Sequence, residues 1–378
     1  MAIARHDPII VDSPLAQWMS DKADSSPALF PKMSGCSYRE KYVLIAQYLD
    51  NNVHVHVAHG ATIADIQDQL KKAQTDAAST ELEILYLNDH GKAHVEQVIS
   101  RASDLICDCA VRLTPYEAYL LLLAIHFHDV GNMLGRRQHE RKCVEIMSES
   151  TISALLGDST EKRVIASIAA AHGGSVPCNN TNRDTIGQLS ETVDLFGFPV
   201  RQRLLASILR FADELADDRS RAARFLLTEN IVPAPSLLYH AYSFALQSVR
   251  IHDQEIRLSY EVSRSSLLQI YKQKKGTEVY LLDEIDSRIR KMHKERVYCM
   301  RFWPQSAKHI RQIHVLIEVV EDAGSLCLES LTCALSDSGY PGPVDGDCSL
   351  CLPSRFFSSG KEMCAKYSPE IQPGAPHA

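Results

Sequence analysis

One helix constrains this chain more than any other feature. Thr114-Pro115-Tyr116-Glu117 is a strong helix start: Thr as N-cap, Pro at the first position, Glu three residues after the cap. The segment it opens, YEAYLLLLAIHFHD, is apolar nearly all round, which predicts a central buried helix. It ends on His128-Asp129. Burying an imidazole and a carboxylate there is costly unless something pairs them, and a divalent cation would. The apolar stretch Tyr119 to Ile125 is far shorter than the roughly 20 residues that cross a bilayer.

The surrounding pattern is mostly helical. Residues 1–35 read as an irregular arm with prolines at 8, 14, 27 and 31 and room for one short helix. Helical periodicity then recurs over 61–75, 92–109, about 137–156, 159–172 and 199–217. Near Glu229 the pattern changes. Tyr242–Arg250 and Glu255–Val262 alternate around a short polar turn and predict a hairpin. A helix over 278–294 and a strand over 309–320 complete that region. Residues 323–378, with five cysteines and no clear period, read as an irregular, poorly ordered tail in which Cys348 and Cys351 form a lone CxxC. The expected fold is therefore mainly α: a helical bundle over 36–228, a small α+β domain over 229–322 and the tail.

The bundle concentrates metal-ligand chemistry. His90 and His94 lie in LNDHGKAHVEQV, His128-Asp129 in AIHFHDVGN, His139 in RRQHERKC, His172 in AAAHGG and Asp213 in ILRFADELADD. Imidazole and carboxylate donors suit Mn, Fe, Co, Ni or Zn. Of the nearby cations, Arg210 is the best candidate for holding phosphate, because it sits three residues before Asp213. Arg136, Arg137 and Lys142 rank below it. His90, one turn before His94, either lines the pocket as an acid or simply begins its helix.

These ordered motifs resemble the HD superfamily of metal-dependent phosphohydrolases over about 85–220. His94 with Val98 looks like its first motif, His128-Asp129-Val-Gly like its signature doublet, and LRFADELAD like its closing motif. The resemblance implies that His94, His128, Asp129 and Asp213 hold one divalent metal. It also implies a second, bridged by Asp129 and held by His139 and His172. Two departures affect the second metal: Cys143 stands at a position resembling Ser, and a single His172 followed by Gly173-Gly174 replaces a paired histidine motif. The cofactors implied are one or two ions among Mn, Fe, Co, Ni, Zn and Mg. Asp129, His90 and Arg210 are the expected catalytic residues. The layout also resembles HD modules of bacterial conflict and defence systems.

Function follows as an expectation. The leading reading is a cytoplasmic metal-dependent phosphohydrolase or phosphodiesterase that hydrolyses a nucleotide phosphoester or phosphoanhydride with a metal-activated water. A net charge of −7 favours a small substrate over long polymers. A single-strand nuclease is the alternative, and it would need a basic groove from Arg288–Arg296 or the 272–275 run. A nucleotide-sensing module without catalysis is the third. No membrane partner is expected, and a homo-oligomer is compatible. The 11 cysteines, with no leader pattern, read as reduced thiols. His54 and His56 are expected on one face of an exposed strand. His126 is expected to be a packed core residue.

Overall fold

A computed structural model describes residues 9–10, 14–33, 35–55, 88–134, 138–176, 179, 181–222, 232, 234–272, 277–322, 326–336 and 355–368. The expected helix over 61–75, His56, Arg136, Arg137, positions 273–275 of the basic run and the Cys348/Cys351 pair lie outside these residues. Among the described residues the helices are α1 (Leu15–Ser25), α2 (Tyr38–Leu49), α3 (Lys92–Asp108), α4 (Pro115–Phe127), α5 (His139–Met147), α6 (Ser150–Leu156), α7 (Ser159–Ala170), α8 (Gln202–Leu215), α9 (Ala234–Ala245), α10 (Arg264–Leu268), α11 (Leu281–Met300) and α12 (Gly360–Tyr367).

Helix α4 is the axis of the bundle, and every one of its residues is buried. Its start is a complete capping box: Glu117 N donates to Thr114 Oγ1 at 3.1 Å and Thr114 N donates to Glu117 Oε2 at 2.9 Å. Glu117 carries a second duty. Arg201, just before α8, donates to its two oxygens at 2.7 and 2.5 Å. One buried carboxylate thus caps α4 and fixes the start of α8, where charge-assisted bonds are the strong kind. Helices α1, α2, α3, α7 and α8 pack around α4. The buried side chains of α3, among them His94, Val95, Val98, Ala102 and Leu105, form one stripe, as its 3.6-residue period dictates.

Besides the short pairs β1 (Ile9–Ile10) with β2 (Arg112–Leu113), β3 (Val193–Leu195) with β4 (Phe198–Val200) and β7 (Ile270–Lys272) with β8 (Glu278–Tyr280), the second layer is a four-stranded sheet in the order β10 (Cys327–Ser336), β9 (Gln312–Val320), β6 (Glu255–Ser263), β5 (Leu246–His252). The outer pairs are antiparallel and β6–β9 is parallel. A parallel neighbour needs a long crossover, and α11 lies within it. The β5–β6 turn places Asp253 and Gln254 at φ of 52° and 64°, the left-handed pair of a tight hairpin turn. Both backbone amides donate to the Asp108 carboxylate, at 2.7 and 2.9 Å. That carboxylate ends α3 and so binds the sheet to the bundle.

Two expectations change. The segment after 322, expected to be irregular, supplies strand β10 and helix α12. Its pattern is faint because β10 is an edge strand with a single fully buried side chain, Leu335. The expected strand around His54 is instead a π-helical turn, Asp50–His54, that continues α2. His54 is buried there at 1% exposure. None of the described helices is long and apolar enough to cross a membrane.

Candidate metal centre

Five helices, or the residues just beyond them, bring the six histidine and aspartate residues together. Helix α3 carries His94 in its first turn. Helix α4 ends at His128-Asp129. A 3-10 turn, Val130–Leu134, then leads towards His139 at the start of α5. Gly131 permits that turn, since a Cβ there would lie 1.9 Å from the His139 carbonyl oxygen. His172 follows α7. Gly174 just beyond it has φ +71°, and an added Cβ would lie 2.2 Å from Glu140 Oε1. Asp213 lies in the last turns of α8.

Asp129 is the centre of the arrangement, and its two oxygens face different neighbours. Oδ2 lies 3.7 Å from His94 Nε2 and 3.3 Å from His128 Nε2. Oδ1 lies 3.1 Å from His139 Nε2 and 3.6 Å from His172 Nε2. Asp213 Oδ1 completes the first group, 3.2 Å from His94 Nε2 and 3.6 Å from His128 Nε2. Within each group one donor atom per residue lies within 4.8 Å of the others, so His94–His128–Asp129–Asp213 and Asp129–His139–His172 could each hold a cation.

The ring orientations have visible causes. His128 Nδ1 donates to the Ile125 carbonyl at 2.6 Å, and His172 Nδ1 donates to the Ala169 carbonyl at 2.6 Å. Each bond places the proton on Nδ1 and presents the Nε2 lone pair to Asp129, the usual way an outer hydrogen bond orients a ligating histidine. His94 shows no such bond: both its ring nitrogens are buried without a hydrogen-bond partner, as is His128 Nε2. Buried polar nitrogens in that condition are costly.

Electrostatics point the same way. Burial alone would raise the pKa of Asp129 and Asp213. The surrounding histidines outweigh it and hold both carboxyls well below the usual carboxylate range. Burial opposes a charge on His128, yet Asp129 and Asp213 push its pKa up to about 10. Burial lowers His94, and burial with neighbouring His128 lowers His172 to about 4. Buried Asp129 and partly exposed Asp213 therefore demand positive charge, which His128 is drawn to supply while burial keeps His94 and His172 towards the neutral form. A divalent cation fits that demand and the orphaned nitrogens together.

His90 and Arg210 take different places. His90 Nδ1 lies 2.6 Å from Asp129 Oδ2, so His90 stands at the centre. Arg210 does not. Its guanidinium grips both oxygens of Glu295 on α11, at 2.7 and 2.8 Å, donates to Thr185 Oγ1 at 2.9 Å and lies over the Tyr298 ring. Spacing of three residues brought its Cα near Asp213, but the side chain reaches across to α11. Lys142 also turns elsewhere, donating to the Leu134 carbonyl. Among the described residues, the arginine at the centre is Arg221, beyond α8, which the sequence reading missed. Its Nη2 lies 3.1 and 3.4 Å from the two His90 nitrogens, and its Nε donates to the Asp89 carbonyl. Arg221 lies past the end of α8, and its spacing of four from Asp217, which closes the LRFADELAD motif, was the signal that could have pointed to it.

No curated protein and no solved structure matches the chain. The HD-CE family model matches residues 82–291, more than half of the 378. That span contains all six histidine and aspartate residues of the centre, and the chain belongs to the HD-CE family, with an HD-type domain.

Proposed function

We propose that this chain is a metal-dependent phosphohydrolase that cleaves a phosphoester or phosphoanhydride of a nucleotide. The observation that carries the reading is the division of Asp129: Oδ2 faces His94 and His128, and Oδ1 faces His139 and His172. A carboxylate so divided suits a bridge between two cations, the arrangement that serves phosphoryl chemistry in two-metal sites. His94, His128, Asp129 and Asp213 would hold one ion. Asp129, His139 and His172 would hold the other. Ions bound there would supply Lewis acidity, acidifying a water and drawing charge from the phosphoryl oxygens.

The protein's own residues do the rest. Asp129 fixes the relation of the two halves. His90, hydrogen-bonded to it, orients the carboxylate and would serve as the acid for the leaving oxygen. Arg221 stands beside the same ring, its Nη2 3.1 Å from the Nδ1 that faces Asp129. The nuclease alternative loses its support in the basic tract of α11. There Arg288 pairs with Glu284 and Asp217, Arg290 with Asp286, and Lys291 with Glu214. Cations committed to internal pairs do not make a strand-binding groove.

The test is a panel of nucleoside mono-, di- and triphosphates and cyclic nucleotides, assayed for phosphate or monophosphate release with Mn, Co, Ni, Fe, Zn or Mg. Hydrolysis of at least one, abolished in Asp129→Ala with the helical circular dichroism retained, is expected. Equal turnover in that variant would remove Asp129 from the site, and no turnover with a fully metal-loaded protein would favour the sensing reading.

A further inference from the structure

A second constellation lies on the other side of the doublet helix. His126 is two residues before His128, so its side chain leaves α4 roughly 200° away around the axis. There it meets the π-helical turn Asp50–His54. Asp50, His54 and His126 each offer a ligand atom within 4.8 Å of the others. Their near-parallel imidazoles have centroids 5.8 Å apart.

The protonation states leave a place for a cation. His54 Nε2 lies 3.0 Å from the backbone carbonyl of His126. A carbonyl only accepts, so Nε2 carries the hydrogen. The other nitrogen, Nδ1, lies 2.9 Å from Asp50 Oδ1. A neutral His54 would then set a lone pair against a carboxylate, so a positive species must stand between them: a second proton or a metal. His126 separates the two. Its Nε2 is 3.2 Å from the Tyr42 hydroxyl, while Nδ1 is buried without any hydrogen-bond partner. A proton on His54 leaves that nitrogen orphaned, whereas a metal shared with Asp50 and His54 satisfies it.

We propose that Asp50, His54 and His126 form a separate divalent-metal site, of the kind that two imidazoles and one carboxylate make for Zn or Fe. The π-helical turn serves it by placing Asp50 and His54 on one face, and single π turns recur at functional sites. Asp50 is the way in, with 19% of its side chain exposed. Lys92 Nζ lies 3.5 Å from its outer oxygen and leaves Oδ1 to the site.

The site is independent of the proposed catalytic centre, and the experiment keeps them apart. Full-length protein is stripped with chelator, dialysed against Co2+ or Zn2+ and assayed for metal per chain. Asp129→Ala/Asp213→Ala, which removes the bridging and closing carboxylates, should retain one equivalent. Adding Asp50→Asn or His54→Gln should abolish it. Asp50→Asn alone should lower the wild-type stoichiometry by one, with a matching loss of Co2+ d–d absorbance. A folded Asp129→Ala/Asp213→Ala protein with no metal would overturn the proposal. So would an equivalent that survives both Asp50→Asn and His54→Gln, with His54 then a plain imidazolium clasp.

Discussion

Arg210 permits a sharp test, because two roles predict opposite results. As a phosphate ligand it would matter to turnover and little to folding. The structure makes it a clasp between α8 and α11. The Arg210 side chain is 8% exposed and that of Glu295 16%, with two bonds of 2.7 and 2.8 Å between them. Removing one partner of a buried pair leaves an uncompensated charge and costs about 3–5 kcal/mol. Glu295→Ala should fall in that range, since Arg210 also lies 4.6 Å over the Tyr298 ring and cannot turn to solvent. Arg210→Met should cost less, about 2–3 kcal/mol, because Glu295 at 16% exposure recovers some hydration. The double variant Arg210→Met/Glu295→Leu should recover part of the loss, about 2 kcal/mol of coupling, as an apolar pair replaces an ionic one. Urea unfolding followed by circular dichroism reads these values. Metal content and kcat/KM per folded chain should stay within about twofold of wild type. A stability change below about 1 kcal/mol in Arg210→Met, with a hundredfold loss of kcat/KM, would refute the clasp and restore Arg210 as a substrate ligand.

Three further outcomes follow from the packing. Thr114→Ala removes the cap of α4 and should cost about 1 kcal/mol, at the upper end because Glu117 N is then orphaned in the core; urea midpoints read it. Gly131→Ala forces a Cβ to within 1.9 Å of the His139 carbonyl, so α5 must shift; a loss of about 1–3 kcal/mol and weaker binding at His139 should appear together in denaturation and metal titration. Burial pushes the thiols of Cys109 and Cys143 up to about 12. In the unfolded chain they ionise near the ordinary 8.5 or so. Between those values the folded state keeps protons that the unfolded state has lost. Stability should therefore fall as pH rises above about 8.5, by on the order of 1.4 kcal/mol per pH unit for each thiol. Unfolding curves from pH 8 to 10 for wild type and Cys109→Ala test the sign, and a flat profile in wild type would contradict it.

Much of the bundle was legible because its signals are local. The Thr114 box, the all-round apolar α4 and the stripe on α3 each fix one helix without tertiary knowledge. His128 and Asp129 stood out because buried polar groups at the end of an apolar run need a partner. What the sequence hid depends on direction or distance. Arg210 and Arg221 are both arginines near Asp213, and only the packing of α11 decides that one grips Glu295 while the other meets His90. His54 sits in an alternating tract that suits a strand, yet its hydrogen bond to the His126 carbonyl, 72 residues away, holds it in a π-helical turn. Strand β10 was obscured because an edge strand buries little of its own pattern.

The central claim is that Asp129 bridges two cations. Elemental analysis of the purified, untagged Asp50→Asn protein and its His139→Ala partner tests it most directly, with the Asp50 site silenced in both. Near two transition-metal ions per chain, falling to one when His139 is lost, is the expected result. One ion in both proteins would contradict the bridge, and none after incubation with Mn, Fe, Co, Ni and Zn would contradict the metal centre itself.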